Sequence, residues 1–256
     1  SEQPVGMTNA LDGWARGEFT ADDRTRTVFR RGTGPGVIVI HEIPGITPKV
    51  AAFANDLVSS GFTVVMPSLV GTPGRAVSGP YGAASMLKVC VAREFTHWAL
   101  QRTSPIITWL RALAADLHAS AGGPGVGAVG MCFSGGFALG MMVDATMVAP
   151  VLSQPSLPFA IGKPARLADL NLSPADAERV AERAALGCEV LGLRFDQDKL
   201  VGTRFESLRA LLGDAFIEVA LPSASKRDHS VLTEQRDEAS VQRVIEFLQS
   251  KLQRYS

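Results

Sequence analysis

Cysteine is scarce in this chain: Cys90, Cys132 and Cys188 are the three among 256 residues. An odd, sparse set cannot staple a disulfide framework and fits a reducing compartment. Histidine is scarce too, at four residues, and the His and Cys spacings match no metal-ligand pattern. The expectation is no metal and no organic cofactor. An excess of one charge is also missing, because 25 basic residues balance 25 acidic ones. That leaves no electrostatic case for nucleic acid or an anionic membrane surface as a partner. No apolar run approaches the ~18 residues that cross a bilayer. The stretch "SEQPVGMTNALDGWARGEFT" lacks the basic-then-apolar order of a secretory signal, so a cytoplasmic protein is expected. Repeats and composition breaks are absent as well, which argues for a single domain over 1–256, monomeric or a small homo-oligomer.

What is present is an alternation of two kinds of apolar segment. "GVIVIHE" (36–42), "FTVVMPS" (62–68), "VGAVGMC" (126–132), "MVAPVLS" (147–153), "CEVLGLRF" (188–195) and "AFIEVALPS" (215–223) are short and continuous, as strands buried on both faces are. Helical periodicity falls between them: 47–61, 104–123 with Ser104 as N-cap, 135–145, 203–213, and a charged C-terminal helix over 231–253. "TRTVFRR" (25–31) reads as an antiparallel edge strand. Strands alternating with helices imply an α/β fold, a doubly wound and mostly parallel sheet covered on both faces. Two irregular insertions interrupt it, near 70–85 and over 154–187, the latter ending in a helix capped by Ser173 and Pro174. Each reads equally well as a substrate loop or a variable surface loop.

The turn "GMCFSGG" (130–136) carries the chemistry. Cys132 falls where a strand hands over to a helix, with Gly130 two residues before it and Ser134 two after. A nucleophile on such a turn needs small neighbours, because its backbone is strained and the helix packs close to the sheet. The helix N-terminus favours a thiolate there. The competing readings are a buried, inert cysteine and attack by Ser134. "GVGAVG" (125–130) spells a dinucleotide fingerprint but lies within the strand rather than after it, which rules that function out. Downstream, Asp198 and then His229 follow the last two strands, in the chain order nucleophile, acid, histidine used on α/β-hydrolase sheets. His41, beside Glu42 at the end of an early strand, is a candidate for lining the same site.

Four segments, "VIVIHEIPGI" (37–46), "VGMCFSGG" (129–136), "RFDQDKLV" (194–201) and "DHSVL" (228–232), resemble the dienelactone hydrolase family. The resemblance implies an α/β-hydrolase fold and an esterase with a Cys-His-Asp triad. Cys132 would be the nucleophile, His229 the base and Asp198 its orienting acid. Glu42 would contact the resting thiol, and the backbone N–H groups of Ile43 and Phe133 would form the oxyanion hole. Arg93 is offered as an anion-binding residue, with a solvated pair to Glu94 as the alternative. Two positions depart from the family pattern: Ser134 stands where glycine is expected, and Thr233 where an arginine would help hold a substrate carboxylate. The expected function is therefore hydrolysis of a small-molecule ester or lactone through a thioester on Cys132. A serine esterase using Ser134 and a non-catalytic binding protein of the same fold are the alternatives.

Overall fold

A computed structural model describes residues 9–91, 103–157 and 164–253; Arg93 and the side chain of Cys90 lie outside the described residues. Eight strands form one sheet: β1 (Ala15–Ala21), β2 (Arg24–Arg31), β3 (Gly36–Ile40), β4 (Thr63–Pro67), β5 (Val126–Met131), β6 (Met147–Ser153), β7 (Val190–Phe195) and β8 (Phe216–Leu221). Their order is β1-β2-β4-β3-β5-β6-β7-β8. Strands β3 to β8 pair in parallel, and β1 and β2 are antiparallel. The mostly parallel sheet is the one the alternating pattern implies, and the fold is the α/β-hydrolase type that the resemblance implies.

Alternation along the buried strands divides the core in two. Ile38 and Ile40 of β3, with Ala128 and Leu152, face α3 (Pro105–Ala121) and α4 (Gly135–Met141). Val37 and Val39, with Val129, Met131 and Val151, face α1 (Pro48–Ser59) and α8 (Glu238–Leu252). A period of two on a sheet with both faces covered makes every position apolar, hence the unbroken runs of Val and Ile. The remaining helices are α2 (Gly79–Val91), α5 (Pro164–Ala168), α6 (Pro174–Ala185) and α7 (Arg204–Leu212). The chain leaves β3 for β4 on one side, then returns to lay β5 on the other. The carboxyl ends of β3 and β5 thus flank the point where the winding reverses, which is where open α/β sheets place their ligands.

Several sequence expectations shift in detail. β2 is antiparallel as read, but it is not the edge: β1 covers it through a two-residue turn at Asp22 and Asp23, whose φ angles are 49° and 60°. That turn has the left-handed geometry of a tight hairpin without the usual glycine. α8 begins at Glu238, seven residues later than the periodicity suggests, because the Asp237 side chain accepts from Ser240 N–H and caps it. Val231 and Leu232 are buried all the same, as part of a loop. Ser104 precedes α3 as expected, but its hydroxyl makes no capping bond and is buried. Ser173 does cap α6, accepting from Asp176 N–H at 3.2 Å.

Candidate active site

β5 ends at Met131, and a single 3-10 turn, Cys132–Ser134, leads into α4. Cys132 has φ 53°, a left-handed conformation costing an L-residue about 1–2 kcal/mol. Ser134 has an ordinary φ of −90°. The strain therefore sits on Cys132, and its neighbours are small for a visible reason. A Cβ at Gly130 would stand 2.2 Å from the Ser134 carbonyl oxygen, and one at Gly135 would meet Pro155 at 2.7 Å.

Ser134 is fully buried, and its hydroxyl is consumed by backbone. It accepts from Met131 N–H at 2.8 Å and lies 2.9 Å from Ile40 O and 2.8 Å from Met131 O, to which it donates. It bolts the β5 turn to the end of β3. The expectation that Ser134 lines the substrate site is corrected accordingly. Ser134→Ala should lower stability by about 1–3 kcal/mol, since the buried Met131 N–H loses its acceptor, and should leave turnover largely intact. A denaturant melt beside an ester assay checks this; lost turnover at unchanged stability would give the hydroxyl a chemical role.

The loops after β7 and β8 bring the next two residues together. Asp198 is buried, and its Oδ2 lies 2.5 Å from Nδ1 of His229. Its other oxygen accepts from Leu200 N–H at 3.0 Å, and Arg194 donates to its backbone carbonyl at 2.9 Å. Asp196, two residues earlier, is tied instead to the backbone and hydroxyl of Ser223. The second ring nitrogen of His229 is buried and has no partner of full hydrogen-bond geometry among the described residues. The Cys132 sulfur is near enough to this ring to raise its affinity for a proton. Burial alone would push the imidazole down; its interactions with Cys132 and with the Asp198 carboxylate outweigh it and hold His229 well above its ordinary value.

Glu42 is held by the loop that carries His229 and by Gln154. Its buried carboxylate accepts from Ser230 Oγ at 2.8 Å, from Gln154 Nε2 at 3.1 Å and from the Thr233 hydroxyl. It makes no hydrogen bond to Cys132 among the described residues; the thiol instead lies 3.1 Å from Ser156 Oγ. Ser230 and Thr233 present short hydroxyls from the His229 loop, and these hold the carboxylate. Burial raises the Glu42 carboxyl above its usual range, while the Thr233 and Ser230 hydroxyls oppose it.

His41 is also corrected. It is completely buried, with Nδ1 2.8 Å from Glu42 O, and Nε2 accepts from Leu69 N–H at 2.9 Å. It cannot line a substrate cleft. Ile43, at the end of the same segment, has a backbone N–H that donates to no group among the described residues. Phe133 follows Cys132 in the 3-10 turn.

Three contributors went unnoticed in the sequence. Ser156 and Gln154 sit just past the end of β6, which neighbours β5, so a parallel-sheet reading had the signal to find them. Arg204 is almost fully buried and donates to the carbonyls of Asp169, Leu200, Val201 and Arg166, tying α5 and α7 behind the Asp198 loop. Burial pushes its guanidinium down to about 10, opposed by Asp169, Cys132 and Asp198. No cluster of His, Cys, Asp and Glu suited to a metal ion occurs among the described residues, and none of their helices is long and apolar enough to cross a membrane.

Comparison with known proteins bears on the family and the fold. The Dienelactone hydrolase family matches residues 25–252. Similar solved structures include a protein of Klebsiella pneumoniae subsp. pneumoniae assigned as a dienelactone hydrolase (TM-score 0.65, 19% identity, 95% of this chain and 100% of that one). A dienelactone hydrolase-like promiscuous phosphotriesterase, P91, from metagenomic libraries aligns at TM-score 0.64 and 18% identity, over 93% of this chain and 98% of that one. Est1E from Butyrivibrio proteoclasticus aligns at 0.58 and 14%, over 92% and 98%. No curated protein matches significantly. At these identities the structures speak for the fold, while the family match spans most of the chain: the protein belongs to the dienelactone hydrolase family, with the α/β-hydrolase fold, and is an ester-hydrolysing enzyme.

Proposed function

We propose that the enzyme cleaves a small-molecule ester or lactone by acyl transfer to Cys132, with His229 as acid and base and Asp198 orienting it. The observation that carries this reading is the contrast within the turn. Cys132 takes the strained apex, φ 53°, near enough to act on the His229 ring, whereas the Ser134 hydroxyl is spent on backbone.

The sequence of steps follows from the charges. The thiol proton passes to His229, and the thiolate attacks the ester carbonyl. The carbonyl oxygen becomes an oxyanion held by the N–H groups of Ile43 and Phe133. Collapse breaks the bond to the alkoxide, which takes the proton from His229 and leaves as an alcohol; for a lactone it stays on the same molecule. The sulfur now carries an acyl group and no charge. A charged sulfur is the largest influence that raises His229, so in the acyl-enzyme burial regains weight and the imidazole falls. It becomes the base that deprotonates water for attack on the thioester. Expulsion of the thiolate then releases the acid. Ser156 Oγ, 3.1 Å from the sulfur, supplies a hydroxyl to the thiolate as it forms and as it departs. Glu42 serves from behind, fixing the loop that carries His229 through Ser230 and Thr233.

With Thr233 in place of an arginine, and its hydroxyl turned onto Glu42, this position offers no cation to a substrate carboxylate. Arg93 remains a candidate for that contact. The test is direct trapping: quenching the enzyme with an activated ester at acid pH should leave one acyl group, mapped to Cys132. An acyl adduct on a serine with Cys132 unmodified would overturn the proposal.

A further inference from the structure

The Ile43 N–H is useful as an oxyanion donor only if its peptide is held at one orientation. Ile43 follows the end of β3 in irregular chain, where no strand partner fixes that orientation. Something else must do so.

The peptide joining Glu42 to Ile43 is trans, since among the described residues the cis bond is the next one, Ile43–Pro44. In a trans peptide the carbonyl and the N–H point in opposite directions. Holding the Glu42 carbonyl therefore aims the Ile43 N–H. The group that holds it is Nδ1 of His41, at 2.8 Å. The ring is itself held from its far side: Nε2 faces Leu69 N–H at 2.9 Å and Val70 N–H at 3.4 Å. Two N–H donors at Nε2 require a lone pair there, so the proton must sit on Nδ1 and Nδ1 must be the donor to Glu42 O. Burial pushes His41 down to about 4, which keeps this neutral tautomer near neutral pH. The ring also lies 6.0 Å from the ring of Phe133, the residue offering the other N–H.

We propose that His41 is a positioning residue for the reaction: by gripping the Glu42 carbonyl while braced on the Leu69–Val70 backbone, it aims the Ile43 N–H at the developing oxyanion. The inference rests on the acyl-transfer reading above, and it gives a function to a buried histidine that touches no substrate.

Two conservative variants separate the two halves of the ring. In His41→Gln the side-chain oxygen reaches the Nε2 position and still accepts from Leu69 and Val70, while the donor to Glu42 O is lost. In His41→Asn the amide nitrogen takes the Nδ1 position and still donates to Glu42 O, while the brace is lost. His41→Gln should lower kcat for an activated ester by about 10- to 100-fold, with KM nearly unchanged. His41→Asn should keep most of kcat but melt at a lower temperature. Alkylation of Cys132 by iodoacetamide develops no oxyanion, so its rate should stay within about twofold of wild type in both. Parallel loss of turnover and alkylation in His41→Gln, or equal kcat in the two variants, would overturn the proposal. The acyl-transfer reading fails by a different result, full turnover with Cys132 alkylated, which leaves the contrast between the variants standing as the test of His41.

Discussion

Replacing Cys132 by alanine is expected to lower kcat/KM for an activated ester by about 10⁴- to 10⁶-fold while leaving the fold intact. In the proposed mechanism the sulfur forms the bond that splits hydrolysis into two steps. Without it only the oxyanion donors and substrate binding act, and these preserve a modest residual rate. Cys132→Ser retains a side chain at the apex, but a hydroxyl ionises far less readily than a thiol, so its activity should stay well below wild type. A third substitution reports on the backbone. At φ 53° alanine keeps the left-handed strain, whereas glycine has none. Cys132→Gly should therefore be about 1 kcal/mol more stable than Cys132→Ala, the reverse of the usual order at an ordinary φ. Denaturant midpoints of the two inactive variants measure this without reference to chemistry. Persisting turnover in Cys132→Ala, abolished by a further change at Ser156, would move the nucleophile off the cysteine.

That strain was legible in the sequence because close packing leaves a compositional trace. Gly130 and Gly135 are glycines because a Cβ would collide with the Ser134 carbonyl and with Pro155, and such collisions write small residues into the turn. The buried strands were legible for a similar reason: both faces are covered, so every side chain is apolar. Asp198 and His229 could be placed because a parallel sheet puts all its strand ends on one edge. β1 could not be read, since "ARGEFTA" is mostly exposed and its turn uses Asp22 and Asp23 in place of glycine. The partners of Glu42 were hidden for another reason. They arrive from residues 154, 230 and 233, and which hydroxyl reaches a buried carboxylate is decided by loop conformation. His41 looked like a site residue because it adjoins one. Only the backbone donors at Leu69 and Val70 reveal that its ring faces inward.

Asp198→Asn should show the second-largest loss, and its pH dependence identifies the cause. A missing orienting carboxylate costs a serine triad roughly 10⁴ in kcat, and a thiol nucleophile less, because it depends less on a base to ionise. Asp198 Oδ2 lies 2.5 Å from His229 Nδ1, so asparagine loses a charge and can present an N–H to a ring nitrogen that must itself donate. The imidazolium protonates the leaving alkoxide in acylation, and that form is present below the His229 pKa and lost as pH rises through it. In the wild type, burial pulls this pKa down, but Cys132 and Asp198 together hold it well above 6.5, so the alkaline limb of kcat/KM should lie well above that value. Removing Asp198 takes away both a hydrogen bond and a charge that favour the imidazolium, while burial remains. The alkaline limb should therefore move to lower pH in Asp198→Asn. Asp196→Asn is the control: its carboxylate bonds Ser223, not His229, so turnover and its pH profile should hold. A profile unchanged in Asp198→Asn but displaced in Asp196→Asn would reassign the orienting carboxylate.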